Sequence, residues 1–124
     1  MRYILDNVKK AISILLVDDE LMILKSVTRY LQMRNCNITA CHDGHAALEF
    51  NRHHFDAIVA DFNLPLLDGL QLLKRFKITH PKSRLIMTSG STTPESVIEN
   101  GLDNSILFLS KPFELESLLS LIGV

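Results

Sequence analysis

Four apolar runs in this chain end in residues that handle phosphoryl groups or hard metal ions. Ile12-Ser13-Ile14-Leu15-Leu16-Val17 is followed by Asp18 and Asp19. Ala57-Ile58-Val59-Ala60 is followed by Asp61, and Arg84-Leu85-Ile86-Met87 by Thr88. Ile106-Leu107-Phe108-Leu109 leads to Lys111 and Pro112. Three carboxylates gathered in one crevice repel one another; at ~5 Å and an effective dielectric of ~20 each ionised pair costs roughly 3 kcal/mol. A hard divalent cation offsets that repulsion, and an all-oxygen ligand set suits Mg²⁺. No Cys/His cluster with zinc spacing competes for the assignment. Asp61 leaves the middle run and is the best candidate nucleophile, since a carboxylate attacking phosphorus gives an aspartyl phosphate. Lys111 and the cation would balance charge on the phosphoryl oxygens. Thr88 can donate a hydrogen bond to one of them.

Those residues need a scaffold that brings strand ends together. Continuous apolar runs of this length read as strands buried on both faces. They are expected near 12–17, 37–41, 57–60, 84–88 and 106–109. Segments with helical period lie between them. Ile23, Val27 and Leu31 recur at i, i+4 and place a helix over Glu20 to Arg34. A weaker one is expected from Asp43 to His53, resting on Ala46, Ala47 and Phe50. Gly69 to Thr79 aligns Leu72, Leu73 and Phe76. Thr93-Pro94-Glu95 offers a cap, a first-position proline and a first-turn acid for a short helix that Gly101 would stop. Phe113 to Ile122 carries Leu115, Leu118, Leu119 and Ile122 at helical spacing. Five β-α units of this kind imply a doubly wound α/β fold with a five-stranded parallel sheet covered by helices on both faces. Asn37 to Cys41 is the most polar strand and suits an edge. In such sheets ligands bind beyond the carboxyl ends of the strands, where the acids, Thr88 and Lys111 fall.

Composition narrows the classes. The 124 residues suit one domain with one core, and 47% apolar content is too high for a disordered chain. Residues 1–10 read as a lead-in and 11–124 as the domain. A net charge of −1 gives no general pull toward nucleic acid or anionic membrane. No run approaches the roughly 20 apolar residues of a membrane span, and Met1 to Asn7 lacks the apolar core of a secretory signal. Cys36 and Cys41 bracket one strand, about 16 Å apart if extended, too far for a disulfide. Structural thiols in a reducing, cytoplasmic compartment are expected. His42, His45, His53, His54 and His80 do not fall at strand ends with the acids and read as surface or packing residues. Lys74, Arg75, Lys77, Lys82 and Arg84 read as a solvated basic face.

Four pieces together resemble the receiver domain of two-component response regulators, including stand-alone chemotaxis regulators. They are ILLVDDE ending at Glu20, DFNLPLLDG from Asp61 to Gly69, MTSG from Met87 to Gly90, and LSKPF from Leu109 to Phe113. Their order and spacing match the family across nearly the whole chain. The resemblance implies the flavodoxin-like (βα)5 fold with strand order 2-1-3-4-5. It implies that Asp61 accepts phosphate from the phosphohistidine of a histidine kinase or histidine phosphotransfer protein. Asp19 would bind Mg²⁺ directly, with Mn²⁺ able to substitute. Asp18 would act mainly through a water, and the backbone carbonyl of Asn63 would be a further ligand. Thr88 and Phe108 match the switch hydroxyl and switch aromatic. Lys111 would contact the phosphoryl group, and the Lys111-Pro112 bond is expected to be cis. Leu64 stands where methionine is commoner, a nearly volume-neutral change. Gly90, two past Thr88, offers no side chain toward an attacking water.

The signalling reading follows: a phosphoryl group draws the Thr88 hydroxyl inward and Phe108 rotates into the vacated space. The fourth helix, fifth strand and fifth helix would carry the change outward. From Thr92 to Val124 the acids are Glu95, Glu99, Asp103, Glu114 and Glu116, and the only base is Lys111. Many receivers dimerise on this face through opposite charges; here the basic half is missing, so no such charge-paired dimer is expected. Kinase docking is expected at Leu21, Met22, Pro112 and Phe113. The chain reads as a switch and not a metabolic enzyme, its only turnover being phosphorylation from a donor and slow self-hydrolysis. Two alternatives stand beside it. One is a Mg²⁺-dependent phosphohydrolase working through an aspartyl phosphate, which typically carries a second Asp where Asn63 stands. The other is an unphosphorylated interaction module of the same fold, which needs a broken site.

Overall fold

The computed structural model describes residues 11–90 and 104–123. The lead-in 1–10 and the short helix expected at 93–101 lie outside the described residues. Five strands form one parallel sheet: β1 (Ile12–Val17), β2 (Cys36–Cys41), β3 (Ala57–Asp61), β4 (Arg84–Ser89) and β5 (Ile106–Ser110). Their order is β2-β1-β3-β4-β5, with the polar β2 at an edge. Four helices are described: α1 (Leu21–Gln32), α2 (Gly44–Leu48), α3 (Gly69–Thr79) and α4 (Leu115–Ile122).

Burial on both faces explains why the inner strands are apolar. Leu15 and Val17 of β1 join Ile58, Leu73, Phe76 and Met87 in one core. Ile14 and Leu16 join Val59, Ile86, Leu24 and Leu118 in the other. Successive residues of the inner strands thus face one helix layer or the other. On α1, Leu24, Val27 and Leu31 are buried at helical spacing. Cys36 and Cys41 are free and buried at the two ends of β2. Burial pushes both thiols up, with the Asp43 and Glu49 charges adding at Cys41. Both are therefore poor nucleophiles.

Three helices differ in extent from the sequence expectation, and four strands each gain one residue at an end. The helix expected from Asp43 to His53 ends at Leu48. Beyond it Glu49, Phe50, Asn51 and His53 each donate to the carbonyl three residues back. The chain tightens into successive turns, which seats Phe50 against the core while Asn51 and Arg52 stay exposed. The first helix is trimmed to Leu21–Gln32 because Glu20 is extended, at ψ 104°, and Asn35 turns left-handed at φ 63°. The last helix starts at Leu115 because Glu114 is extended. Local caps fix two other starts. Asp43 accepts from the Ala46 N–H at 2.7 Å, and Asp68 accepts from the Gln71 N–H at 2.9 Å.

The loop from Asp61 to Gly69 carries one strained residue. Leu66 has φ 68° and is 93% exposed. A branched side chain in the left-handed region costs about 1–2 kcal/mol, and this one gains no burial in return. Leu66→Gly should raise stability by about 0.5–1 kcal/mol, the relief of strain less the added freedom of the unfolded chain. Chemical denaturation reads this directly; an unchanged or lowered midpoint would contradict it.

Candidate functional site

Sheet register assembles the site. Val17 is level with Ala60 across β1 and β3, so the next residues, Asp18 and Asp61, emerge side by side. Asp61 is level with Thr88, and Ser89 with Ser110, which sets Lys111 one step past the β5 end. The crevice lies where the strand order reverses, between β1 and β3. Asp19, Glu20, Asp61, Asn63, Gly90 and Lys111 line it.

Asp18 and Asp61 are each 3% exposed, while Asp19 is exposed. Ligand oxygens of the three acids lie within 4.8 Å of one another. The Lys111 ammonium reaches in from the opposite side. It donates to Asp18 Oδ2 at 2.9 Å and lies 3.4 Å from both Asp61 Oδ2 and Glu20 Oε1. The second Asp18 oxygen, Oδ1, accepts from the Glu20 N–H at 2.9 Å. Asp61 Oδ1 is buried and has no hydrogen-bond partner. That orphaned oxygen, beside the exposed Asp19 carboxylate, is the feature a hard cation would satisfy. The residues present therefore fit Mg²⁺. Asp18 has both oxygens engaged, one by the Lys111 ammonium and one by the Glu20 N–H.

Electrostatics follow from this packing. Burial pushes the Asp61 carboxyl up. The Lys111 charge opposes that, the Asp18 charge adds to it, and hydrogen bonds from Lys111 and the Asn63 N–H oppose it again; the carboxyl stays above its ordinary range. For Lys111, burial works against the charged form. The Asp18 hydrogen bond and the Asp61, Asp18 and Glu20 charges outweigh it, so the ammonium is held above its usual value. An ammonium held this firmly is a permanent counter-charge for an incoming anion.

The other expected residues sort by distance from this pocket. Thr88 is buried at the end of β4, and its carbonyl accepts from the Phe62 N–H at 2.8 Å. Phe108 is half-buried on β5, level with Met87, and packs on the core that contains α3. The Lys111-Pro112 bond is cis. Leu21 and Met22 are exposed on the first turn of α1, at 57% and 82%. Phe113 is half-buried and, with Ile23, Val27, Pro112 and Leu115, lines a groove of about 510 Å³ between α1 and α4. Pro65 and Leu21 flank Asp19 on its other side.

Sequence reasoning gave no role to two residues that shape the pocket. Glu20 contributes the third carboxylate near Lys111; its signal was its place directly after the acid pair. Gly69 lets the chain pass against Asp61. A Cβ there would sit 2.2 Å from the Asp61 carbonyl oxygen. The Gly69 N–H donates to the Phe62 carbonyl at 3.0 Å, closing the loop that holds Asn63.

Known proteins resemble this chain in sequence and fold. A family model described as the response regulator receiver domain matches residues 14–123. The response regulator MprA of Mycobacterium ulcerans is 33% identical over 114 residues, which cover 89% of this chain and 48% of that protein. The response regulator GtcR of Aneurinibacillus migulanus is 30% identical over 102 residues, 82% of this chain and 42% of that one. The chain thus spans about half the length of the curated relatives it matches. Among solved structures, the chemotaxis response regulator CheY4 of Vibrio cholerae superposes with a TM-score of 0.78 at 29% identity, covering 89% of this chain and 94% of that one. A response regulator receiver protein from Sinorhizobium medicae gives a TM-score of 0.82 at 26% identity, covering 92% and 93%. With five parallel strands in order 2-1-3-4-5 and an acidic crevice at their carboxyl ends, this chain belongs to the receiver domain family of response regulators.

Proposed function

We propose that Asp61 is the phosphoacceptor of this receiver, taking the group from the phosphohistidine of a histidine kinase or a histidine phosphotransfer protein. The observation that carries the reading is the Lys111 ammonium 3.4 Å from Asp61 Oδ2, inside a pocket of three acids. Asp61 Oδ1, the oxygen with no partner, is available for attack or for a cation. Attack forms a new P–O bond as the P–N bond to the donor imidazole breaks, and the electron pair leaves with that nitrogen. Lys111 balances charge on one phosphoryl oxygen, and the Thr88 hydroxyl donates to another once drawn inward. Asp19, Asp61 and the Asn63 carbonyl would hold Mg²⁺ directly, with Asp18 acting through a water. Bound there, the cation supplies charge neutralisation at the phosphoryl oxygens. Mn²⁺ takes similar oxygen ligands and would substitute.

The test is phosphoryl uptake from acetyl phosphate with and without Mg²⁺, the adduct being located by peptide mass spectrometry. Uptake that needs Mg²⁺ and maps to Asp61 supports the assignment; a label on any histidine, or none, defeats it. Turnover on phosphate esters would favour the phosphohydrolase reading. Asn63 is an exposed amide at that reading's acid/base position and cannot deliver or take a proton as a carboxyl does. Asp19→Ala should weaken Mg²⁺ binding by at least about tenfold in calorimetric titration. Equal affinity in wild type and variant would remove Asp19 from the ligand set.

Signal output is proposed to pass from Thr88 to Phe108, whose ring is half-buried on β5. Donor docking is assigned to Leu21 and Met22, exposed on the first turn of α1, with Pro112 and Phe113, which line the groove beside Lys111. The stretch from Thr92 to Val124, which includes β5 and α4, has no basic residue apart from Lys111. A symmetric dimer on it would set acids against acids. The beryllofluoride-bound protein should therefore show no tight symmetric dimer by sedimentation at about 150 mM salt. A tight dimer crosslinked through β5 or α4 would refute this.

A further inference from the structure

Glu20 is the pocket acid that neither lies buried nor caps its helix. Its Oε1 is 3.4 Å from the Lys111 ammonium, and its side chain is 60% exposed. It stands at the N-cap position of α1, yet the side chain makes no cap hydrogen bond. Helix capping therefore does not account for it. The backbone is fixed: the Glu20 N–H donates to Asp18 Oδ1 at 2.9 Å, and the Glu20 carbonyl accepts from the Leu24 N–H at 3.0 Å. Burial works against the Lys111 charge, and Asp18 and Asp61 uphold it ahead of Glu20, so the ammonium persists when the Glu20 carboxylate turns away.

Glu20 also stands at a border. With Gly90 and Lys111 it lines both the crevice of Asp61 and the groove between α1 and α4. Gly90 leaves that border open, since a Cβ there would meet only the Lys111 Cβ, at 3.8 Å. Asp61 is buried, so a group displaced in line from it departs toward the exposed rim. Among the described residues two exposed acids line the crevice, Asp19 and Glu20. Asp19 belongs to the proposed cation ligands, and Glu20 keeps its charge for the donor.

We propose that Glu20 selects the phosphodonor: its carboxylate favours a leaving group that carries a protonated nitrogen and disfavours one that departs as an anion. This role presupposes Asp61 as the phosphoacceptor. Asp18, Asp19, Glu20 and Asp61 set four acids around the single base Lys111. A divalent cation and the ammonium together offset three of those charges, and the fourth is left facing the donor. An acyl phosphate brings a phosphoryl dianion and must expel a carboxylate past Glu20, so like charges meet on entry and on departure. A phosphoramidate brings the same dianion on a cationic nitrogen, from which Glu20 accepts a charge-assisted hydrogen bond. The step then balances. Asp61 forms the P–O bond, the P–N bond breaks, and its electron pair stays on a nitrogen that departs neutral with its protons. A phosphohistidine protonated on its free ring nitrogen departs as neutral imidazole in the same way.

The test compares two small donors, phosphoramidate and acetyl phosphate, by the apparent second-order rate of phosphorylation of the full chain at saturating Mg²⁺. Glu20→Gln keeps the shape of the side chain and removes its charge. The rate with acetyl phosphate should rise at least about fivefold, and the rate with phosphoramidate should fall at least about threefold. Both changes should shrink at about 500 mM salt, where charge is screened within a few ångströms. Glu20→Asp retains the charge and should keep the wild-type preference between the donors. Calorimetric titration separates this role from metal ligation: Glu20→Gln should weaken Mg²⁺ binding less than Asp19→Ala does, and an equal loss would make Glu20 a ligand and overturn the proposal. Rates with the two donors that move together, or do not move, overturn it while leaving Asp61 as the acceptor. No uptake by wild type from either donor removes the acceptor reading itself, and the role of Glu20 with it. Circular dichroism of each variant establishes that it is folded.

Discussion

Asp61→Asn protein should take up no phosphoryl group from acetyl phosphate or from a phosphohistidine donor, a loss of at least about a thousandfold in rate. An amide oxygen is a far weaker nucleophile than a carboxylate, and among the described residues no other carboxylate takes the same position. Asp18 is tied to Lys111 and the Glu20 N–H, and Asp19 is exposed at the rim. The same substitution should stabilise the metal-free fold at neutral pH. Burial holds the Asp61 carboxyl above its ordinary range, so the folded state binds the proton more tightly than the unfolded one. Stability from this group is full below the ordinary carboxylate range and is lost as pH rises through the raised value. The asparagine lacks that loss. Its advantage over wild type should be present near pH 7 and should shrink on acidification toward about pH 4. Thermal melts in chelator at the two pH values measure it. A variant less stable than wild type near pH 7 would mean that the Lys111 attraction outweighs burial.

The largest stability effect is expected at Gly69. Replacing it with alanine drives a Cβ to 2.2 Å from the Asp61 carbonyl oxygen and 2.7 Å from its carbonyl carbon. Both neighbours are backbone at the end of the central strand, so no side chain can swing aside. Relief requires the loop from Asp61 to Gly69 to move away from β3, which also displaces Asn63 and breaks the bond from the Gly69 N–H to the Phe62 carbonyl. We expect a loss of about 3 kcal/mol and a fall in Tm on the order of 10 °C. Mg²⁺ affinity should fall with it, because the Asn63 carbonyl moves with the loop. A variant within about 0.5 kcal/mol of wild type, with unchanged metal binding, would show that the loop yields freely.

Strand positions were the most legible part of this protein. A strand buried on both faces leaves an unbroken apolar run, and the runs over 12–17, 57–60 and 84–88 have no competing periodicity. Helix limits were less legible, because they depend on backbone angles that side-chain pattern does not encode. Phe50 kept the helical rhythm past Leu48, yet the i to i−3 bonds there close tighter turns. Glu20 and Glu114 fit helical composition but stand extended as caps. The left-handed Leu66 had no signal at all, since its residue type argues against that conformation.

The sequence by itself determined which groups stand at the strand ends: two acids after β1, one at the end of β3, a hydroxyl on β4 and an amine past β5. A parallel sheet delivers every strand end to the same side, so residue type and position were enough to name the chemistry. Tertiary structure decided what each group is free to do. Register put Asp18 next to Asp61, and the reach of Lys111 across the crevice satisfied Asp18 and left Asp61 Oδ1 without a partner. It also sent the bases of α3 to the end of the molecule remote from the pocket. These outcomes depend on distances between segments far apart in the chain, which no local pattern of residues specifies.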